Sequence, residues 1–370
     1  MSKKRGTYKI QTYNINHVNA TEAFISAIDE LYSEALKDFA RLGNSITYNP
    51  DKLFQLKDYK LLNNKANQIL EKLSRDIDAV ISKGTKSQWL YANTKNDDFI
   101  DYLFDTTKIN KSVLSKYKST NLDALDSFQT RKINGLELSD RIWSYVSPMK
   151  AQMELGLDIA LGEGKSAQRL AAELKQYLVD SDKLFRRVRD KHGNLVISKN
   201  AAAFNPGTGK YRSSYKNALR LARSEINLAY RNSDQLRWNN LDFIIGYKVS
   251  LSNNHTLNGV PFVDICDDLQ GLYPKSFKFS GWHVLCRCVM SPVLQKPDDF
   301  DTDELQSLKA AINGENYSGF TGNTIKTVPS NFNTWVKDNA ERSKGWKSQP
   351  YFIRDNFKNG VISGGLKLDI

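Results

Sequence analysis

Two stretches of the chain repeat apolar residues at helical spacing, and they constrain the fold more than any other feature. Phe24, Ile28, Leu31, Ala35, Phe39 and Leu42 recur every three or four positions, and Leu62, Ala66, Ile69, Leu73, Ile77 and Val80 repeat the rhythm. That period places each set along one face of an α-helix. Asn19 or Thr21 would cap the first helix and Gly43 would stop it, and the second is expected to end before Gly84. Two such stripes bury each other, so the N-terminal half is expected to be a helical bundle. With 370 residues, 40% of them apolar, the chain has material for this core and for another. An ordinary composition excludes wholesale disorder, a collagen-like fibre and a disulfide-rich miniprotein. No apolar run approaches the ~20 residues of a membrane span. The basic start, MSKKRGTYKIQTYN, lacks the apolar stretch of a secretory signal.

Further along, residues 96–135 are more polar, with short helical patches such as Asp98–Phe104. Ser139 would cap a helix from Asp140 that Pro148 divides, and Ser166 another that carries Leu170, Leu174 and Leu178 on one face. GEGKS at Gly162–Ser166 is no phosphate loop, because position 159 is Ile and no strand precedes it; a helix-to-helix turn is expected. Asn205–Lys210 fails the same pattern, with Phe at 204. A hairpin is expected over 184–199, turning at Lys191–Asn194. Then comes a long helix with Leu219, Ala222, Ile226, Ala229 and Leu236 on an apolar face and Arg223, Asn227, Arg231 and Asp234 on another. A buried strand follows at Phe243–Ser252. Pro297–Asp299 reads as a linker, 301–314 as a helix and Asn331–Arg342 as the last helix, before PYFIRDNF. The expected fold is α+β: a predominantly helical N-terminal half, then a mixed domain with hairpin, long helix and small sheet. The expected divisions are 1–138, 139–296 and a C-terminal extension over 297–370.

The net charge of +12 is concentrated. Between Lys183 and Arg223 eleven basic residues face one acid, Asp190, which leaves the rest of the chain nearly neutral. Arg186, Arg187, Arg189, Lys191, Lys199, Lys210, Arg212 and Lys216 are candidate phosphate contacts, with Phe185, Phe204, Tyr211 and Tyr215 interleaved. Such a stretch would bind nucleic acid without sequence preference and lose affinity steeply with salt. A solvated loop, or a patch that meets an acidic protein, would carry the same charge.

All three cysteines lie between 266 and 288, with one of only four histidines among them: Cys266, His283, Cys286 and Cys288. Thiolates and an imidazole are the ligands a tetrahedral zinc prefers, and three Cys with one His would close a structural site. Buried thiols beside a core histidine, or a Cys266–Cys286 or Cys266–Cys288 disulfide, fit the sequence equally. Two catalytic arrangements are also open. One is a Cys286–His283 hydrolase oriented by Asp264 or Asp267, and the other a zinc hydrolase on Asp264, His255 and His283. His17 and His192 stand in polar surroundings and read as surface residues.

Taken in order, ALRLARSEINLAYRNSDQLRW (218–238), DICDDLQG (264–271) and WHVLCRCVMSPV (282–293) resemble the phage Mu protein F-like family of head morphogenesis, or minor head, proteins of tailed bacteriophages and prophages. The matching positions are Ala222, Arg223, Ser224, Glu225, Ala229, Tyr230, Arg231, Asp264, Cys266, Gly271, His283, Cys286, Arg287, Cys288 and Pro292. The family usually has Pro shortly before the His and often after it, where this chain has Trp282 and Val284. The resemblance implies a non-enzymatic assembly role in the procapsid, with the portal and other capsid or scaffold proteins as partners and some members contacting packaged DNA. It places the chain in the virion interior, and in the host cytoplasm during assembly. Arg223, Glu225 and Arg231 would form an Arg–Glu network that fixes their helix against the Cys/His loop, with Tyr230, Asp264, Asp267 and Arg287 as further structural positions. An ADP-ribosyltransferase site does not fit, because Arg223-Ser224-Glu225 is consecutive on a helix and the one Gln-x-Glu, Gln152 to Glu154, precedes it.

Overall fold

The computed structural model describes residues 8–43, 54–162, 166–179, 187–189, 195–197, 213–252, 255–257, 260–295, 324–346 and 349–367. Seven helices come first: α1 (Ile10–Gly43), α2 (Lys60–Leu103), α3 (Lys111–Tyr117), α4 (Leu122–Thr130), α5 (Leu138–Val146), α6 (Met149–Gly162) and α7 (Ala167–Val179). The hairpin strands β1 (Arg187–Arg189) and β2 (Leu195–Ile197) pair antiparallel, and α8 (Ser214–Asn239) follows. The remainder is β3 (Ile244–Ser250), β4 (Thr256–Leu257), β5 (Val260–Pro261), α9 (Ile265–Asp268), β6 (Gly271–Tyr273), β7 (Val289–Leu294), α10 (Ser330–Ser343) and α11 (Tyr351–Asn356). The α+β expectation holds. Among the described residues no helix is long and apolar enough to cross a membrane.

Several local signals act as expected. Pro148 separates α5 from α6, and Ser166 Oγ accepts the Arg169 N–H at the start of α7. Helix α5 starts two residues earlier than expected. Its cap is Glu137, whose backbone N–H donates to Asp140, rather than Ser139. The larger departure is Gly84, which does not end α2; the helix runs on through the polar stretch to Leu103. One mid-helix glycine costs only about 1 kcal/mol, and the continued helix buries Trp89, Ile100 and Lys95. The turn at 191–194, the loop at 205–207, the linker at 297–299 and the helix expected over 301–314 lie outside the described residues.

Contacts divide the chain into two compact units, each assembled from separate stretches. The helical unit comprises 21–84 and 129–225. Its core takes Ile28, Phe39, Leu73 and Ile77 from the two apolar stripes, with Met153, Leu157, Leu174 and Ala222 against them. The mixed unit comprises residues up to 20, 85–128 and 226–370. These units cut across the linear division at 138 and 296, and the C-terminal extension is part of the mixed unit's core. Phe332, Phe352, Ile353 and Phe357 pack there with Tyr273, Phe277 and Trp282.

The mixed unit's sheet has the order β6-β3-β7, antiparallel throughout, with Tyr247 opposite both Tyr273 and Pro292. An irregularity between Ile244 and Gly246 lets Ile325 donate its N–H to the Ile245 carbonyl. At Gly271 the backbone takes φ +152°, and a Cβ would lie 2.6 Å from Pro329. Only glycine allows the extension to close over this turn.

Within this unit Lys95 of α2 and Asp234 of α8 form a fully buried ion pair, to which Asn96 adds a 2.8 Å hydrogen bond. Burial lowers the lysine's pKa and raises the aspartate's, each opposed by the other's charge. Losing one partner strands the other charge, so Asp234→Ala should cost about 3–5 kcal/mol in urea unfolding. The double variant Lys95→Met/Asp234→Leu should lose less than either of its single substitutions.

Candidate functional site

From Ile226 to Asn239, α8 is buried on nearly every side, and a helix so buried tolerates polar side chains only where they are partnered. Arg237, fully buried, donates to Asp97 and to the Tyr117 carbonyl, both at 2.6 Å, and to Asn93 at 2.8 Å. Gln235 donates to the Phe277 carbonyl. Arg231 Nη2 donates to the carbonyls of Cys286 at 2.7 Å and Cys288 at 2.9 Å, and Nη1 to that of Ser280 at 3.3 Å. Its guanidinium also lies 5.0 Å from the centre of the Phe279 ring. Gly281, at φ +99°, belongs to the same loop, and a Cβ there would stand 2.7 Å from Arg231 Nη1.

The cysteine cluster is built by two local devices. Asp264 Oδ1 accepts the Cys266 N–H at 2.7 Å and Asp267 Oδ2 accepts the Asp264 N–H at 2.8 Å, a capping box that starts α9 and buries the Cys266 side chain. A tight turn at His283–Cys286, with Leu285 at φ +68°, returns the Cys286 N–H to the His283 carbonyl. Cys266 Sγ then lies 3.7 Å from Cys286 Sγ and 3.0 Å from His283 Nε2, and the buried Cys288 thiol interacts electrostatically with both other thiols. His283 Nδ1 is 2.7 Å from the Val284 carbonyl, which only an N–H can satisfy, so in the neutral ring the Nε2 lone pair faces Cys266. The Cys266 contact, with Arg231's charge, holds the Cys286 thiol well below its ordinary pKa, and the same contact pushes Cys266 up. All three cysteines are unpaired and buried, so neither disulfide is present.

This geometry differs from the Cys286–His283 hydrolase arrangement. A Cys/His pair needs the orienting carboxylate on the histidine nitrogen away from the thiol. Asp264 Oδ2 instead approaches Nε2, at 3.2 Å, on the same atom as Cys266, while Nδ1 is held by Val284. The thiol nearest the histidine is that of Cys266, not Cys286, and it is 1% exposed. His255 Nε2 lies 3.1 Å from Asp267 and 3.6 Å from Asp264. One ligand atom from each of His255, Asp264 and Asp267 lies within 4.8 Å of the other two, and each carboxylate also accepts a backbone N–H in the capping box.

Other expected positions fall elsewhere. The anticipated Arg–Glu network separates into independent parts. Arg231 holds the loop, Arg223 makes a two-pronged pair with Glu22 at 3.0 and 2.8 Å, and buried Glu225 receives Arg131 at 2.7 Å and Arg141 at 2.8 Å. Arg223 and Glu225 belong to the helical unit. Arg287 is exposed between its two buried cysteines. Trp282 is buried in a cluster with Phe279, Tyr273 and Phe352 and anchors the loop by packing. Of the basic candidates, Lys216 lies on α8, half-buried, and Arg187 and Arg189 are on β1. Arg186, Lys191, Lys199, Lys210, Arg212 and His192 lie outside the described residues.

His17 corrects the surface reading. It is buried on α1 between Gln88 (2.8 Å) and Asn227 (2.9 Å), and its ring stacks on Tyr230 with centroids 3.9 Å apart. Reading the sequence alone missed the buried role of His17 and did not single out Lys95. The i, i+4 pair His17 and Thr21 continues the first apolar stripe backwards with polar residues, a signal available once α1 is extended to Ile10.

The chain matches no family model, no curated protein and no solved structure.

Burial lowers the His17 pKa from 6.5 to about 4, against the raising effect of its two amide partners. The unfolded chain therefore takes up this proton first. The stability that neutral His17 contributes is complete above about pH 6.5 and is lost as pH falls through about 4, amounting to about 3 kcal/mol. Urea midpoints measured from neutral pH down to about pH 4 should fall further for the parent than for His17→Gln.

Proposed function

We propose that the chain is a minor head, or head morphogenesis, protein of a tailed bacteriophage or prophage, of the phage Mu protein F-like type. The observation that carries this reading is the convergence of the resembling segments. Tyr230, Arg231, Asp264, Cys266, Gly271, His283, Cys286, Cys288 and Pro292 come from three stretches of sequence and all lie in the mixed unit. Arg231 binds the carbonyls of two of the cysteines, and Gly271 receives Pro329 of the extension. In this account the resembling residues form a structural knot and the protein is not an enzyme. Its partners are the portal and other capsid or scaffold proteins, and it works in the host cytoplasm during assembly and in the capsid interior afterwards. The +10 segment between Lys183 and Arg223 would face packaged DNA. Arg223 is the exception, since its guanidinium is held by Glu22.

Quantitative mass spectrometry of purified DNA-filled particles, from the phage or induced prophage that encodes the chain, tests the proposal. A few copies per particle relative to portal are expected. Absence from both mature particles and proheads would overturn the reading and bring forward a free nucleic-acid-binding protein, whose DNA affinity would fall steeply with salt.

A further inference from the structure

The geometry points to a structural zinc site formed by Cys266, His283, Cys286 and Cys288. Three of the four ligand atoms already converge: the Sγ atoms of Cys266 and Cys286 and Nε2 of His283 all lie within 4.8 Å of one another. Zinc–sulfur bonds of about 2.3 Å put two ligands of a tetrahedron about 3.8 Å apart, and the Cys266–Cys286 separation is 3.7 Å. A sulfur–nitrogen edge is about 3.5 Å, so the 3.0 Å between Cys266 and His283 opens by about half an ångström around an ion.

The histidine is prepared for this role. A metal-bound imidazole characteristically donates its other N–H to a carbonyl or carboxylate, which fixes the tautomer and aims the lone pair. His283 Nδ1 meets the Val284 carbonyl at 2.7 Å, and Nε2 faces the thiols.

Two groups compete for the fourth position. Asp264 Oδ2 is 3.2 Å from His283 Nε2, but its other oxygen caps α9 and the side chain remains a quarter exposed. Cys288 is 4% exposed, and its thiol interacts electrostatically with both of the others. A soft ligand in a dry site is the better match to zinc, and we assign the position to Cys288. Three thiolates, one neutral imidazole and Zn²⁺ carry one net negative charge. The Arg231 guanidinium, bound to the Cys286 and Cys288 carbonyls, supplies one positive charge beside it. The site is closed: with four protein ligands and no open position, its contribution is to hold α9 and the 280–288 loop together.

The test uses the full chain purified under reducing conditions without chelator, with zinc measured by elemental analysis and cobalt(II) as a spectroscopic substitute. Roughly one zinc per chain is expected. Cobalt should give the intense visible bands of a tetrahedral ion and a thiolate charge-transfer absorption of three-sulfur intensity. Cys288→Ser should lower that intensity by about a third, whereas Asp264→Asn should leave it unchanged. Cys286→Ser should bind less than about a tenth of the parent's zinc. Should that variant fail to fold, the parent spectrum still decides. Negligible zinc, together with no charge-transfer band on cobalt addition to the reduced parent, would overturn the site. An unchanged spectrum in Cys288→Ser with a reduced one in Asp264→Asn would overturn the ligand set.

Discussion

A single guanidinium, buried among backbone carbonyls, fixes the part of the molecule where the distinctive residues meet. A charge taken out of water is tolerated only when its hydrogen bonds are made. Arg231 makes them to Ser280, Cys286 and Cys288, with the face of Phe279 alongside. The loop in turn has little freedom. Its carbonyls must point at α8, Gly281 must leave room for the fork, and Trp282 must enter the aromatic core. Once those demands are met, Cys286 and Cys288 are delivered to Cys266, which the capping box at Asp264 has already turned inward. The thiol cluster is thus a consequence of a helix, a cap and a buried cation, each set by local chemistry.

The same logic runs along the whole inner part of α8. Asn227 meets His17, Asp234 meets Lys95, Gln235 meets the Phe277 carbonyl and Arg237 meets Asn93, Asp97 and the Tyr117 carbonyl. Apolar contacts tolerate sliding, but a buried polar group has few acceptable partners. A row of such pairs specifies one register between α8 and its neighbours in the mixed unit. For a protein whose proposed work is to present fixed surfaces to an assembling particle, a unique arrangement matters more than the few kcal/mol that an all-apolar helix would add.

How much of this was legible in the sequence depended on the kind of signal. The helical stripes, the break at Pro148, the cap at Ser166, the hairpin, the strand after α8 and the helix near 331–342 were all readable. Each is a local preference that packing leaves in place. Gly84 misled because a glycine is a weak stop, and the helix through it is held by buried Trp89 and Ile100. The Cys266, His283 and Cys286 cluster was visible as a grouping of rare residues, yet its geometry was not, since it depends on a positive φ at Leu285 and on the Val284 carbonyl. The partners of Glu225, Lys95 and His17 were beyond reach. Each lies 71 or more residues away in sequence, and nothing in spacing or composition pairs a buried charge with a distant arginine or amide.

The central claim is that Arg231 sets the conformation of the 280–288 loop. Hydrogen exchange of the Arg231→Lys chain tests it most directly, because lysine keeps the charge and loses the fork that reaches three carbonyls. Loop amides, the Cys286 N–H among them, should exchange at least about tenfold faster than in the parent, with the helical unit over 21–84 and 129–225 unchanged. Parental protection across 280–288 in that variant would contradict the account.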